Sequence, residues 1–94
     1  MTVRVTAVPE MNLFEAEIDG SHVGQIEYVR KDDVIVYTHT EVDKAFEGRG
    51  IGGTLVRTAL DAARDEGSKV IPRCSFVRSW IHLHPEYSDL LEEG

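Results

Sequence analysis

The sequence predicts an α+β domain in which helices cover a mostly antiparallel sheet. Three features carry this. Apolar and polar residues alternate through most of the first 42 positions. Four glycines then fall together between Gly48 and Gly53. After them the apolar spacing changes from two to that of a helix. The order β-β-β-β-α-β-α follows, within one small domain over residues 1–94.

Each element has its own signal. Residues 3–8 alternate, with Val3, Val5 and Ala7 on one side, and end at Pro9. Residues 12–18 alternate again, with Leu13, Ala16 and Ile18 apolar and charges between. Asp19-Gly20 is a two-residue hairpin turn. Residues 21–29 return, placing Val23, Gln25, Glu27 and Val29 on one face and His22, Gly24, Ile26 and Tyr28 on the other. Lys31-Asp32-Asp33 turns the chain into its longest β run, Val34–Val42, completing a meander.

The second half is helical in period. Ile51, Leu55, Val56, Ala59, Leu60, Ala62 and Ala63 are apolar at helical spacing, against polar Arg57, Thr58, Asp61, Arg64 and Asp65. Gly67 suits a left-handed helix end. A short β segment over 69–73 leads to Ser75, a cap for a helix carrying Phe76, Val77, Trp80 and Ile81. Pro85 ends that helix, and Tyr87, Leu90 and Leu91 form a last helical turn.

Bulk composition narrows the function classes. A chain of 94 residues buries roughly 60–65% of its unfolded surface, enough for a core but with little reserve. The net charge of −7, from 10 Lys+Arg against 17 Asp+Glu, gives no basic stripe for nucleic acid. No apolar run reaches the roughly 20 residues of a membrane span. The first six residues lack the apolar core of a secretory signal, and a lone cysteine permits no internal disulfide. A cytoplasmic protein is expected, with a monomer favoured. Arg57 and Arg64 read as solvated helix surface.

The glycines mark an anion site. Glycine lets a ligand approach main-chain N–H groups with no Cβ in the way. The helix beginning there offers unpaired N–H groups and a positive dipole end, which suits phosphate. A mononucleotide P-loop is rejected, because Gly53-Thr54 lacks its lysine. Gly48, Gly50 and Gly53 satisfy the dinucleotide spacing G-x-G-x-x-G, but they follow a meander rather than the first strand of a βαβ series. Arg73 also stands about 20 residues on, where an acidic ribose ligand belongs.

Glu47-Gly48-Arg49-Gly50-Ile51-Gly52 resembles the coenzyme A loop of the GNAT N-acetyltransferase superfamily, Gln/Arg-x-x-Gly-x-Gly/Ala. Glu47 stands where Gln or Arg is usual. With His39-Thr40-Glu41-Val42, Pro72-Arg73-Cys74-Ser75-Phe76 and His84-Pro85-Glu86-Tyr87, nearly the whole chain is similar to the minimal GNAT-like proteins of the YjdJ type. The resemblance implies acetyl-CoA as acetyl donor. Its pyrophosphate would lie on backbone N–H groups from Phe46, Glu47, Gly48, Arg49, Gly50, Ile51, Gly52 and Gly53, with Thr54, Ser75 and Arg78 nearby. Its pantetheine arm would pair with the strand ending at Val42, where the sheet splays from residues 69–73.

The same resemblance frames the chemistry. An amine attacks the thioester, a carboxylate or water on the central strands takes its proton, and a tyrosine protonates the leaving thiolate. This chain has Trp80 near the tyrosine's place, and Tyr87 comes later. Cys74 lies at a helix N-terminus between Arg73 and Ser75 with Arg78 near, a setting that lowers a thiol pKa. It reads as an acetyl-accepting nucleophile or as a small buried hydrophobe. His39 and Glu41 share one strand face, as general bases or as a polar outer surface. His82 and His84 lack a third ligand, so no metal is expected. His22 sits beside a hairpin turn with no visible role.

The expected function is transfer of acetyl to an amine acceptor, small molecule or protein. The alternative is a non-catalytic coenzyme A-binding module or protein-interaction domain. The resemblance implies helices between early strands that wall the acceptor in fuller GNAT domains, whereas here Asp19-Gly20 alone joins residues 12–18 to residues 21–29. The acidic surface favours a cationic acceptor by long-range steering.

Overall fold

The computed structural model describes residues 2–92. Five strands lie side by side in chain order: β1 (Arg4–Val8), β2 (Leu13–Ile18), β3 (Ser21–Lys31), β4 (Val34–Val42) and β5 (Lys69–Pro72). The first four pair antiparallel, and β5 joins β4 parallel. A parallel neighbour needs a crossover, which α1 (Ile51–Glu66) supplies. Helix α2 (Ser75–Leu83) follows, and the last turn, Pro85–Leu90, is 3-10. Every element expected from the sequence is present, with β3 extended to Lys31.

Both α-helices lie on one face of the sheet. Ala16, Ile18, Ile26, Tyr28, Ile35 and Tyr37 meet Leu55, Val56, Ala59 and Leu60 of α1 and Val77 and Ile81 of α2 in one buried cluster. Leu55 and Leu60 are fully buried, each contributing about 1.5–3 kcal/mol relative to exposure. Tyr37 donates its hydroxyl to the Ala59 carbonyl at 3.0 Å, and burial pushes that hydroxyl's pKa well up. Arg30 forms a fork on Glu66, joining the end of β3 to the end of α1. Leu91 bridges to Val70, so the chain end covers the outer edge of β5.

Strict alternation fails at two bulges. Ala16 pairs with Gly24 but Glu17 with His22, leaving Val23 as an extra residue. That extra residue turns Val23 into the core, not onto the outer face with Gln25 and Glu27 as period two predicts. A second bulge makes Thr38 the extra residue, because Glu27 pairs with His39 and Tyr28 with Tyr37. Leu13 is buried but pairs with Glu27, so it belongs to the outer face, apart from Ala16 and Ile18. Among the described residues, no helix is long and apolar enough to cross a membrane.

Candidate functional site

The site forms where β4 and β5 part. Their pairing covers only Val34–Tyr37 against Lys69–Pro72. The Cys74 N–H then donates to the Tyr37 carbonyl at 2.9 Å, and the chain turns away into α2. Strand β4 continues to Val42 paired with β3 only. The Asp43 N–H donates to the Val23 carbonyl at 2.8 Å, so alternation turns Glu41's main-chain groups toward β3 as well. Thr40 and Val42 therefore direct theirs into the gap, as an open edge for an extended ligand. This is the splay that the family resemblance implies.

A cleft of about 340 Å³ occupies the gap. It is lined by Thr40 and Val42 on β4, the segment from Phe46 to Gly53 apart from Arg49, and Phe76 on α2. Gly50 caps α1 at φ +78, and Gly48 sits at φ +83. A Cβ at either would meet nothing, so their role is conformational. Gly52 and Gly53 act differently. A Cβ at Gly52 would stand 2.8 Å from the Phe76 ring, and one at Gly53 would stand 3.2 Å from the Trp80 indole nitrogen. Those two glycines let α2 close on the first turn of α1, whose N–H groups have no acceptors within the helix. Thr54 is exposed and returns its hydroxyl to the Gly50 carbonyl. The Arg49 guanidinium lies 5.2 Å over the Phe46 ring, beside the cleft mouth.

Cys74 caps α2 at the inner end of this gap, 9% exposed, its sulfur 3.5 Å from the Thr40 hydroxyl. Burial raises its pKa, but the Thr40 hydroxyl and the backbone N–H groups of Val77 and Phe76 outweigh that, so the thiol lies below its ordinary value. The depression comes from the helix N-terminus and Thr40, not from the arginines flagged in the sequence. Arg78 instead donates to the carbonyls of Pro72 and Arg73, on the side of α2 away from the cleft. Ser75, expected from the sequence to cap α2, is instead its exposed first residue, and Cys74 holds the N-cap position.

His39 and Glu41 occupy the opposite sheet face, beyond the strand from the cleft. Their side chains stand 3.8 Å apart and are well exposed. Register brings Glu27 beside them, and the three ligand atoms lie within 4.8 Å of one another. Gln25 donates to Glu27 at 3.0 Å. Glu27 and Thr40 were not legible as site residues, because both depend on register. Tyr87 is buried away from the cleft, its hydroxyl donating to Asp61 at 2.7 Å and accepting from Arg57 at 3.1 Å. Arg57 and Arg64 are not simply solvated: Arg57 stacks on Trp80, and Arg64 grips Asp89 and the Glu86 carbonyl. His84 stacks on Trp80 at 3.8 Å.

Comparison with known proteins agrees with this architecture. The family model described as GCN5-related N-acetyl-transferase matches residues 13–90. Protein NATD1 of Xenopus tropicalis is 31% identical over 87 residues, spanning 89% of this chain and 79% of that protein. The human Protein NATD1 is 30% identical over 86 residues, spanning 88% and 75%. A GCN5-like protein of Staphylococcus aureus solved by NMR superposes with a TM-score of 0.75 at 22% identity, covering 97% of this chain and 89% of that one. The PaiA N-acetyltransferase of Thermoplasma acidophilum, solved with coenzyme A, superposes at 0.57 and 20% identity, covering 60% and 35%. The matched residues run from β2 to the last 3-10 turn and include the whole cleft, and the chain belongs to the GCN5-related N-acetyltransferase family.

Proposed function

We propose that this protein is an acetyl-CoA-dependent N-acetyltransferase whose donor and acceptor meet through the gap beyond Tyr37 from opposite faces of β4. The observation that carries this is the cleft itself. A glycine-built helix start stands beside an unpaired strand edge, offering N–H donors for a pyrophosphate and a ladder for an amide-bearing arm. Acetyl-CoA supplies the activated acyl thioester. Backbone N–H groups from Gly48 to Gly53 hold its phosphates, since those of Phe46 and Glu47, expected from the sequence to join them, donate instead to the Asp43 and Lys44 carbonyls. Thr40 and Val42 align its arm, and Thr54 braces the turn.

On the open face, Glu41 or His39 takes the proton as the acceptor amine becomes an amide; coenzyme A leaves as its thiolate, which takes a proton from solvent. The carboxylates of Glu27 and Glu41 suit a cationic acceptor. Cys74 is the reactive thiol on the helix face. In the covalent route its thiolate bonds to the acetyl carbon as the sulfur of coenzyme A departs, and the amine then displaces Cys74. A second reading, a coenzyme A-binding module without turnover, draws on the two-residue Asp19-Gly20 turn, which builds no wall over the acceptor side.

Calorimetric titration with acetyl-CoA and free coenzyme A tests the reading. Micromolar binding with preference for acetyl-CoA supports a formed acetyl pocket. Equal binding favours the module, and no binding of either refutes the phosphate assignment. Mass spectrometry after brief mixing with acetyl-CoA tests the covalent route: an acetyl adduct absent from Cys74→Ala supports it, and unchanged turnover by that variant rejects it.

A further inference from the structure

Beside the cleft stands a fixed arginine that the proposed chemistry does not use. Gly53 and Arg57 are one turn apart on the same side of α1. The Arg57 guanidinium lies 5.1 Å from the Trp80 ring centre and 5.6 Å from that of Tyr87, and it donates to the Tyr87 hydroxyl at 3.1 Å. Each of these partners is itself held. Trp80 stacks on His84 at 3.8 Å, and Tyr87 donates to Asp61 at 2.7 Å. The Trp80 indole nitrogen reaches the first turn of α1, 3.2 Å from a Cβ position at Gly53. The arginine residue is nevertheless exposed.

This arrangement has the properties of an anion subsite. An arginine on a free helix surface loses considerable rotamer entropy when it grips a ligand. Here two aromatic faces and a hydroxyl have already ordered it. Tyr87 takes one of five guanidinium donors, leaving the fork able to bind a phosphate. Four residues of helix rise about 6 Å, so Arg57 lies one ribose-length from a phosphate held at the first turn. Beyond its pyrophosphate, coenzyme A carries a further phosphate on its ribose.

We propose that Arg57, held by Trp80 and Tyr87, is a second phosphate subsite that takes the ribose 3′-phosphate and so selects coenzyme A over dephospho-coenzyme A. This rests on the coenzyme A reading of the cleft. The test is calorimetric titration of the full chain and of Arg57→Gln with coenzyme A and dephospho-coenzyme A. Wild type is expected to prefer coenzyme A at least tenfold. Arg57→Gln is expected to lose that preference by weakening coenzyme A alone, with dephospho-coenzyme A bound within twofold of wild type, which also reports an intact fold. Equal binding of both ligands by wild type overturns the subsite and leaves the cleft reading standing. Equal weakening of both ligands in Arg57→Gln overturns it too, assigning Arg57 to packing. Failure of wild type to bind either ligand removes both readings together.

Discussion

Gly24→Ala tests the link between sheet geometry and the cleft. Gly24 lies on β3 opposite Val42, and a Cβ there would stand 2.7 Å from the Glu41 carbonyl oxygen. Ordinary contact begins at 3.4 Å, so β3 and β4 would have to separate locally by about 0.7 Å. The obstacle is backbone in the middle of the sheet, not the tip of a movable side chain. The neighbouring Asp43-to-Val23 hydrogen bond, 2.8 Å long, would stretch to roughly the limit of a bond. Losing one or two such bonds at about 1 kcal/mol each gives a destabilisation of about 2 kcal/mol. For a domain of this size that is a fall in Tm of roughly 10 °C. Thr40 and Val42 would shift with Glu41, so affinity for acetyl-CoA should fall beyond what stability alone explains. Thermal unfolding by circular dichroism and a calorimetric titration read both quantities. A variant within 2 °C of wild type that binds normally would refute the reasoning.

Three further perturbations have definite signs. Arg30, and then Ser68, hold the Glu66 carboxyl at about 2, below its ordinary 4.5. Its stabilisation is therefore complete above the ordinary carboxylate pKa and is lost as pH falls toward 2. Both partners of the pair are substantially exposed, so solvent screening reduces it to about 1 kcal/mol. Glu66→Gln should be less stable than wild type by that amount at pH 7 and equal near pH 2, and a pH-independent gap in urea unfolding would contradict the assignment. Gly50→Ala meets no atoms but forces alanine into the left-handed region, at about 1–2 kcal/mol. Unfolding and ligand titration should show both lower stability and weaker coenzyme A binding, and an unchanged variant would mean that the cap adjusts freely. Thr40→Val removes a group that favours the Cys74 thiolate, so its pH profile of alkylation by a small haloacetamide should move upward. A profile that stays put would assign the thiolate wholly to the helix N-terminus.

The sequence carried the elements and the glycine-built start of α1 because both are local. Alternation, the Asp19-Gly20 turn, the glycines and the α1 stripe are each set within a few residues. What escaped depended on registers that one-dimensional spacing does not hold. Val23 belongs to the core only because a bulge inserts a residue. Glu27 reaches His39 only through the pairing of β3 with β4. Thr40 meets Cys74 across 34 residues of chain, and Arg57 meets Tyr87 across 30. Arg78 illustrates the converse: nearness in sequence placed it beside Cys74, but helix direction turned it to the carbonyls of Pro72 and Arg73.

The parallel pairing of β4 with β5 joins Val34 to Lys69, a far longer loop than any turn of the meander requires. Non-local pairings of that kind form late, because the loop entropy must be overcome before any contact compensates for it. The cleft lies on this junction, with one wall from β4, another from α1 and a third from α2. A ligand seated there clamps the part of the chain that assembles last. At a hundred times its dissociation constant it would add about 2.7 kcal/mol to the folded state. In a domain with so small a core, the folded population would then follow the ligand's supply, and clearance by proteases would rise whenever that supply ran short.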